Sequence, residues 1–310
     1  MIQDLAKIRA GKLMQWSTWA SVSVAVMLVS AKGVAWWQSG SVTMLGSMMD
    51  SGLDLMASMV TLLAVRHALM PADSDHRFGH GKAEALAGLF QASVMSGSAV
   101  FIVFESIDRL WHGVAPVAHD LIINVSIFAI VLTIILVGFQ SYVVRQTKSL
   151  AIAGDHLHYK GDLLMNVAVI VAAIATSAGY ANADGIFGLL IACYIFYGGW
   201  EVGRPALDML MDKEFSDAER EQIFNLVMES PEVLGLHDLR TRSAGRDRFI
   251  QMHIEVDGNF TVRRGHFIAD EVEAVLGEAF PDADIIIHVD PPDEHMGDIS
   301  HRELHDVEDA

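Results

Sequence analysis

Up to about residue 212 the chain is divided into six apolar runs, roughly 15–37, 42–69, 84–111, 119–143, 159–180 and 186–207. Each is long enough to cross the ~30 Å hydrocarbon layer of a bilayer as a helix. A hydrophobic content of 52% and a mean hydropathy of +0.35, both high for a water-soluble chain, agree with this. Past residue 212 no such run remains, and residues 213–310 hold 9 Lys and Arg against 24 Asp and Glu, −15 of a net −18. The expected organisation is a six-helix transmembrane domain at 1–212 and a soluble α+β domain at 213–292. An acidic tail at 293–310, carrying His295, His301 and His305, is expected to be disordered. So acidic a surface is a poor match for nucleic acid, which needs clustered cations. The single cysteine, Cys193, lies inside an apolar run and supplies neither a disulfide nor a CxxC pair. Lys7, Arg9 and Lys12 precede the first run and no small-residue cleavage site follows it, so that run reads as an uncleaved span.

Cations in the short connecting segments set an orientation, because Lys and Arg are retained on the cytoplasmic side. Arg66, Arg77, Lys82, Arg145, Lys148, Arg204 and Lys213 share a side with the basic N-terminus. The segments near residues 39–41, 109–120 and 180–185 lie opposite, which places both termini in the cytoplasm.

Four polar residues interrupt the apolar pattern. Asp50 and Asp54 in the second run are four apart and share a helix face, as do His158 and Asp162 in the fifth. If the fifth helix begins near Leu150, all four lie about 8–12 residues from a membrane surface, roughly 12–18 Å deep, at the bilayer midplane. An ionised aspartate there costs about 2.5–3.5 kcal/mol, so a cation is expected to compensate. Lys160 is the candidate in sequence, but its spacing points it away from the His158/Asp162 face. Three carboxylates and an imidazole suit tetrahedral Zn2+, and also Fe2+, Cd2+ or Co2+; the lack of sulfur argues against Cu(I). Helix-packing polar groups or a pure proton relay would use the same residue types. No HExxH occurs, and the chain is not expected to be an enzyme.

The DxxxD and HxxxD pairs, the loop PADSDHRFGHGKAEAL, and the later segments LHDLRTR, RFIQMHIEV, GHFIADEVE and IIIHVDP give the chain its resemblance to the cation diffusion facilitator family, in particular its bacterial zinc and ferrous-iron efflux branch. That resemblance spans nearly the whole length. It implies a homodimer in a bacterial inner membrane, exporting a divalent metal by alternating access in exchange for protons, from a site formed by Asp50, Asp54, His158 and Asp162. His158 weighs toward zinc, iron or cadmium over manganese. Protons and metal compete for the same donor atoms, and a free imidazole titrates near pH 6.5, so His158 is the expected proton carrier. The resemblance makes Asp73, His76 and His80 a second metal site, although the loop reads equally as solvated polar residues on its own. It implies a third, two-metal cluster from His237, His253, His266, His288 and Asp290, partly across the dimer contact, and a charge interlock between protomers from Lys82 and Asp212. A membrane metal sensor that moves nothing, or a gated divalent cation channel, are the alternatives.

In the soluble part the expected order is helix 217–229, strand 237–242, strand 248–256, helix 262–280 and strand 284–289 (αββαβ, metallochaperone-like). Ile250, Met252, Ile254 and Val256 fall on one strand face and Gln251, His253 and Glu255 on the other. Met44, Met48, Met49, Met56 and Met59 read as packing residues rather than copper ligands.

Overall fold

A computed structural model describes residues 2–39, 42–112, 120–177 and 182–292. The tail histidines therefore lie outside the described residues. The chain divides into two compact units, the division falling between Leu207 and Asp208.

The first unit is built from α1 (Ile2–Ser39), α2 (Val42–Ala68), α3 (Lys82–His112), α4 (Asp120–Thr147), α5 (Leu150–Ser177) and α6 (Ala183–Leu210). Five of these contain an apolar stretch long enough to span a membrane. The remaining one, α5, carries Asp155, Lys160 and Asp162 in its first half, and it begins at Leu150, ahead of its apolar run. Helix α1 packs along α2 and α4, and α3 lies against α5 and α2. Small residues permit the close approaches: a Cβ on Gly154 of α5 would stand 2.8 Å from the Gln91 Cβ of α3.

Polarity is inverted relative to a soluble bundle. Phe101, Phe104, Ile135 and Leu190 face outward, as do Met49, Met56 and Met59, which therefore do not fill the core of the unit. Inside, the Asp155 carboxylate, 1% exposed, accepts hydrogen bonds from Ser21 of α1 (2.5 Å), Ser58 of α2 (3.2 Å) and Gln140 of α4 (2.7 Å). The hydroxyl of Tyr159 reaches Ser58 at 3.0 Å and donates to the Ser21 carbonyl at 3.3 Å. One buried carboxylate thus ties four helices together, and without such partners it would be costly in a low-dielectric interior.

The second unit runs α7 (Asp217–Met228), β1 (Gly235–Ala244), β2 (Asp247–Glu255), α8 (Val262–Ala279) and β3 (Ala283–Asp290), the expected αββαβ order. Ser216 caps α7 in a reciprocal box with Glu219, and Thr261 caps α8. The sheet order is β1-β2-β3, antiparallel between the first two and parallel between the last two. Ile250, Met252, Ile254 and Val256 form its buried face, with Ile268, Val272 and Leu276 of α8 and Ile223 and Val227 of α7 packed on them. The opposite face of the sheet is left for polar side chains.

Candidate metal centres

Three polar groups are gathered by this framework. In the first, α5 presents His158 and Asp162 to α2. His158 Nε2 lies 2.9 Å from Asp54 Oδ1 and 3.7 Å from Asp162 Oδ2, and the donor atoms of the three residues all fall within 4.8 Å of one another. They line a cavity of about 840 Å³ that also takes in Asp50, Ser51 and Lys32. Asp50 lines the same cavity but lies outside the three whose donors fall within 4.8 Å of one another. It sits one helical turn, roughly 6 Å, before Asp54 along α2.

Lys160 points to α6, its ammonium 5.2 Å from the Tyr194 ring centre. Lys32 of α1 enters the cavity instead, with Nζ donating to Ser51 Oγ at 2.7 Å and to the Ser47 carbonyl at 3.2 Å, within electrostatic reach of Asp50, Asp54 and Asp162. Sequence reasoning missed it because Lys32 lies on a helix with no paired carboxylate of its own. The signal available was a lone lysine inside a spanning run.

The second group lies in the loop between α2 and α3. Asp73 Oδ1 accepts the backbone N–H of His76 (2.7 Å) and of Asp75 (2.9 Å) and lies 3.4 Å from His76 Nδ1, while Oδ2 lies 3.4 Å from His80 Nε2. The His76 N–H foremost, and that of Asp75 behind it, holds the Asp73 carboxyl below the usual carboxylate range. Gly79 turns the chain at φ 76°, which brings His80 back against His76, ring centres 4.6 Å apart. The donor atoms of Asp73, His76 and His80 fall within 4.8 Å of each other. Sequence reasoning passed over His67, at the end of α2, whose ring meets that of His80 edge-on at 4.5 Å.

The third group is a product of strand register. His237 pairs with His253 and His253 with His288, so three imidazoles stand in a row across the sheet, and Glu255 pairs with Asp290 beside them. Asp290 is the hub, with Oδ2 2.8 Å from His253 Nδ1 and 3.5 Å from His237 Nε2, and Oδ1 3.0 Å from His288 Nε2. Glu255 Oε1 adds a contact to His237 Nδ1 at 3.2 Å. His266 is not brought to this group within one protomer; it stands on α8 with its side chain 74% exposed, 3.5 Å from Asp270. Asp212 is held at 3.3 Å by Arg242 in the second unit, whereas Lys82 opens α3 in the first.

Six long helices with a polar group at their middle, followed by a small metal-donor-rich sheet domain, define a multi-pass membrane protein of the ion-transport kind. The comparisons give the family. Residues 18–211 match the cation efflux transmembrane domain, and residues 215–292 match the cation efflux protein, cytoplasmic domain. The "Cation-efflux pump FieF" of Salmonella choleraesuis (strain SC-B67) is 43% identical over 281 residues, 91% of this chain and 94% of that one, and that of Salmonella enteritidis PT4 (strain P125109) matches equally. The metal-bound C-terminal domain of the CzcD transporter from Thermotoga maritima is 31% identical over 25% of this chain and 94% of that one, with a TM-score of 0.23. The chain belongs to the cation efflux family, the cation diffusion facilitators, a family of transporters.

Proposed function

We propose that this protein exports a divalent transition metal from the bacterial cytoplasm across the inner membrane in exchange for protons. Zinc is the foremost substrate, with ferrous iron and cadmium next. The observation that carries this reading is the meeting of Asp54, His158 and Asp162 at the middle of two helices inside a cavity. Oxygen and imidazole donors without sulfur match Zn2+ and Fe2+ and disfavour Cu(I). Asp50, on the wall one turn away, would complete the set as the helices move. Because the same atoms bind either protons or metal, opening the cavity to an acidic exterior releases the metal there, with His158 as the main proton carrier.

The other two groups fit resident zinc. In the loop, His76 Nδ1 and His80 Nε2 each lie 3.4 Å from a carboxylate already oriented by two backbone donors. Asp73, His76 and His80 would hold zinc there. On the sheet, His237, His253, His288 and Asp290 would hold zinc, and the exposed His266 is a donor left for a second copy of the chain. Zinc at these positions neutralises acidic protomers and draws a homodimer together, with Lys82 and Asp212 as a charge interlock. The protein acts by alternating access, with both termini cytoplasmic.

Purified protein in sealed vesicles tests this. Zinc should accumulate when a proton gradient is imposed and collapse with it. Binding without flux would make the protein a sensor, and flux indifferent to the gradient would make it a channel; either overturns the proposal.

A further inference from the structure

We propose that His67, at the end of α2, is a fourth ligand of the loop centre, so that Asp73, His76, His80 and His67 form a closed tetrahedral zinc site stapling the end of α2 to the start of α3. This rests on the reading of the loop as a metal centre given above.

The loop's own donors are incomplete. Three protein ligands leave a tetrahedral ion with an open position, the arrangement of a catalytic zinc, whereas a structural zinc is enclosed by four. The His80 ring is the centre of the group. It packs against His76 at 4.6 Å and against His67 at 4.5 Å, inclined to the latter by 70°. Its side chain is 3% exposed, and Nε2 lies 3.4 Å from Asp73 Oδ2, so Nε2 is the ring nitrogen that would share an ion with Asp73.

The backbone sets His67 in place. The last turn of α2 closes with the Met70 N–H donating to the His67 carbonyl at 3.0 Å, and the chain leaves the helix there toward Asp73. Two nitrogens bound to one zinc at about 2.0 Å stand roughly 3.3 Å apart in a tetrahedron. His67 stands outside the three donors that already fall within 4.8 Å of one another, so its exposed side chain must rotate toward the ion to bind, from a ring contact of 4.5 Å with His80. Ring packing alone gives no reason for an imidazole at this place, since a phenyl ring would pack edge-on as well. Four ligands with three nitrogens and one oxygen leave no open position, so the ion is resident and its role is to fix the loop against α2, the helix that carries Asp50 and Asp54.

Cobalt(II) serves as the probe, because tetrahedral Co2+ absorbs far more strongly than five- or six-coordinate Co2+. The full chain carries Asp54→Ala, Asp162→Ala, His237→Ala and His253→Ala to silence the other two groups, and is titrated with Co2+ and then Zn2+. The expected parent spectrum is one equivalent of strongly absorbing cobalt, displaced by zinc. His67→Phe, which keeps the ring packing, should weaken binding by roughly tenfold to a hundredfold and collapse that intensity. His67→Cys in the otherwise native chain should produce a sulfur-to-cobalt charge-transfer band that His67→Ser lacks, and this readout does not depend on the stripped background folding. Unchanged binding in His67→Phe, with no sulfur band in His67→Cys, overturns the role of His67 while a loss in His76→Ala keeps the three-ligand centre. A parent indistinguishable from His76→Ala overturns the centre and the role of His67 together.

Discussion

His158 Nε2 stands 2.9 Å from Asp54 Oδ1, joining the first half of α5 to the middle of α2 with the one nitrogen donor of the group. That nitrogen is the softest donor present, so it biases the set toward zinc and iron over harder ions. His158→Asp should reduce zinc uptake into vesicles by roughly tenfold or more and open the protein to manganese. In His158→Ala, residual uptake should no longer follow the imposed proton gradient. Full proton coupling in His158→Ala would refute its role as proton carrier.

Lys32 shares the cavity with Asp50, Asp54 and Asp162. A fixed ammonium competes electrostatically with an incoming dication, so Lys32→Met should tighten metal binding by on the order of 1 kcal/mol, a roughly fivefold lower KM for zinc. The same change removes the charge that balances the aspartates before metal arrives, so the variant's melting temperature should fall when metal is chelated and recover when zinc is added. A KM unchanged or raised would show that Lys32 does not act through its charge.

Asp155 holds Ser21, Ser58 and Gln140 from three other helices. Asp155→Leu removes the acceptor these donors share and leaves Ser21 its bond to the Ser17 carbonyl, Ser58 its contact with Tyr159 and Gln140 its bond to Ser21, at a cost of about 1–3 kcal/mol in all. Asp155→Asn retains an acceptor oxygen and should recover a large part of the loss. Thermal unfolding of the detergent-solubilised variants reads this directly, and equal melting of Leu and Asn variants would contradict it.

Much of this was legible before the structure. Strict alternation over Ile250 to Val256 and apolar spacing at Ile268, Val272 and Leu276 identify the αββαβ unit, because the two periods differ. The carboxylate and imidazole pairs at intervals of four announce their shared faces, and Leu150 was placed as the start of α5. What sequence spacing does not encode is contact between elements distant along the chain. Lys32 reaches its aspartates from another helix, Asp155 finds its donors on three others, and His67 meets His80 across a loop. Glu255 joins the sheet cluster because strand register sets it beside Asp290, a relation between two strands that neither contains alone. Local patterns report faces; three-dimensional packing decides which faces meet.

In the soluble unit Glu219 closes the α7 cap and takes a 2.6 Å hydrogen bond from Arg248. Desolvation pulls its carboxyl upward, but the bonds from Ser216 and Arg248 outweigh this and leave it below the ordinary glutamate range. A carboxyl that titrates lower when folded adds stability that is complete above the unfolded value, near pH 4.3, and is lost as acid carries the pH through the lower folded value. Because the group is partly exposed, solvent screening limits Glu219→Gln to about 0.5–1 kcal/mol at pH 7. Hydrogen exchange of the α7 amides in the full chain should speed up accordingly, and the gap to the parent should close under acid. A gap that persists well below pH 4 would contradict the assignment.

The most direct measurement is proton-driven zinc uptake by sealed vesicles carrying the Asp54→Ala, Asp162→Ala double variant, with reconstitution and folding matched to the parent. If metal crosses by way of the group that α2 and α5 close around, uptake should fall to the level of empty vesicles while zinc bound by the sheet cluster is retained. Uptake at the parent rate would mean that the ion takes another route.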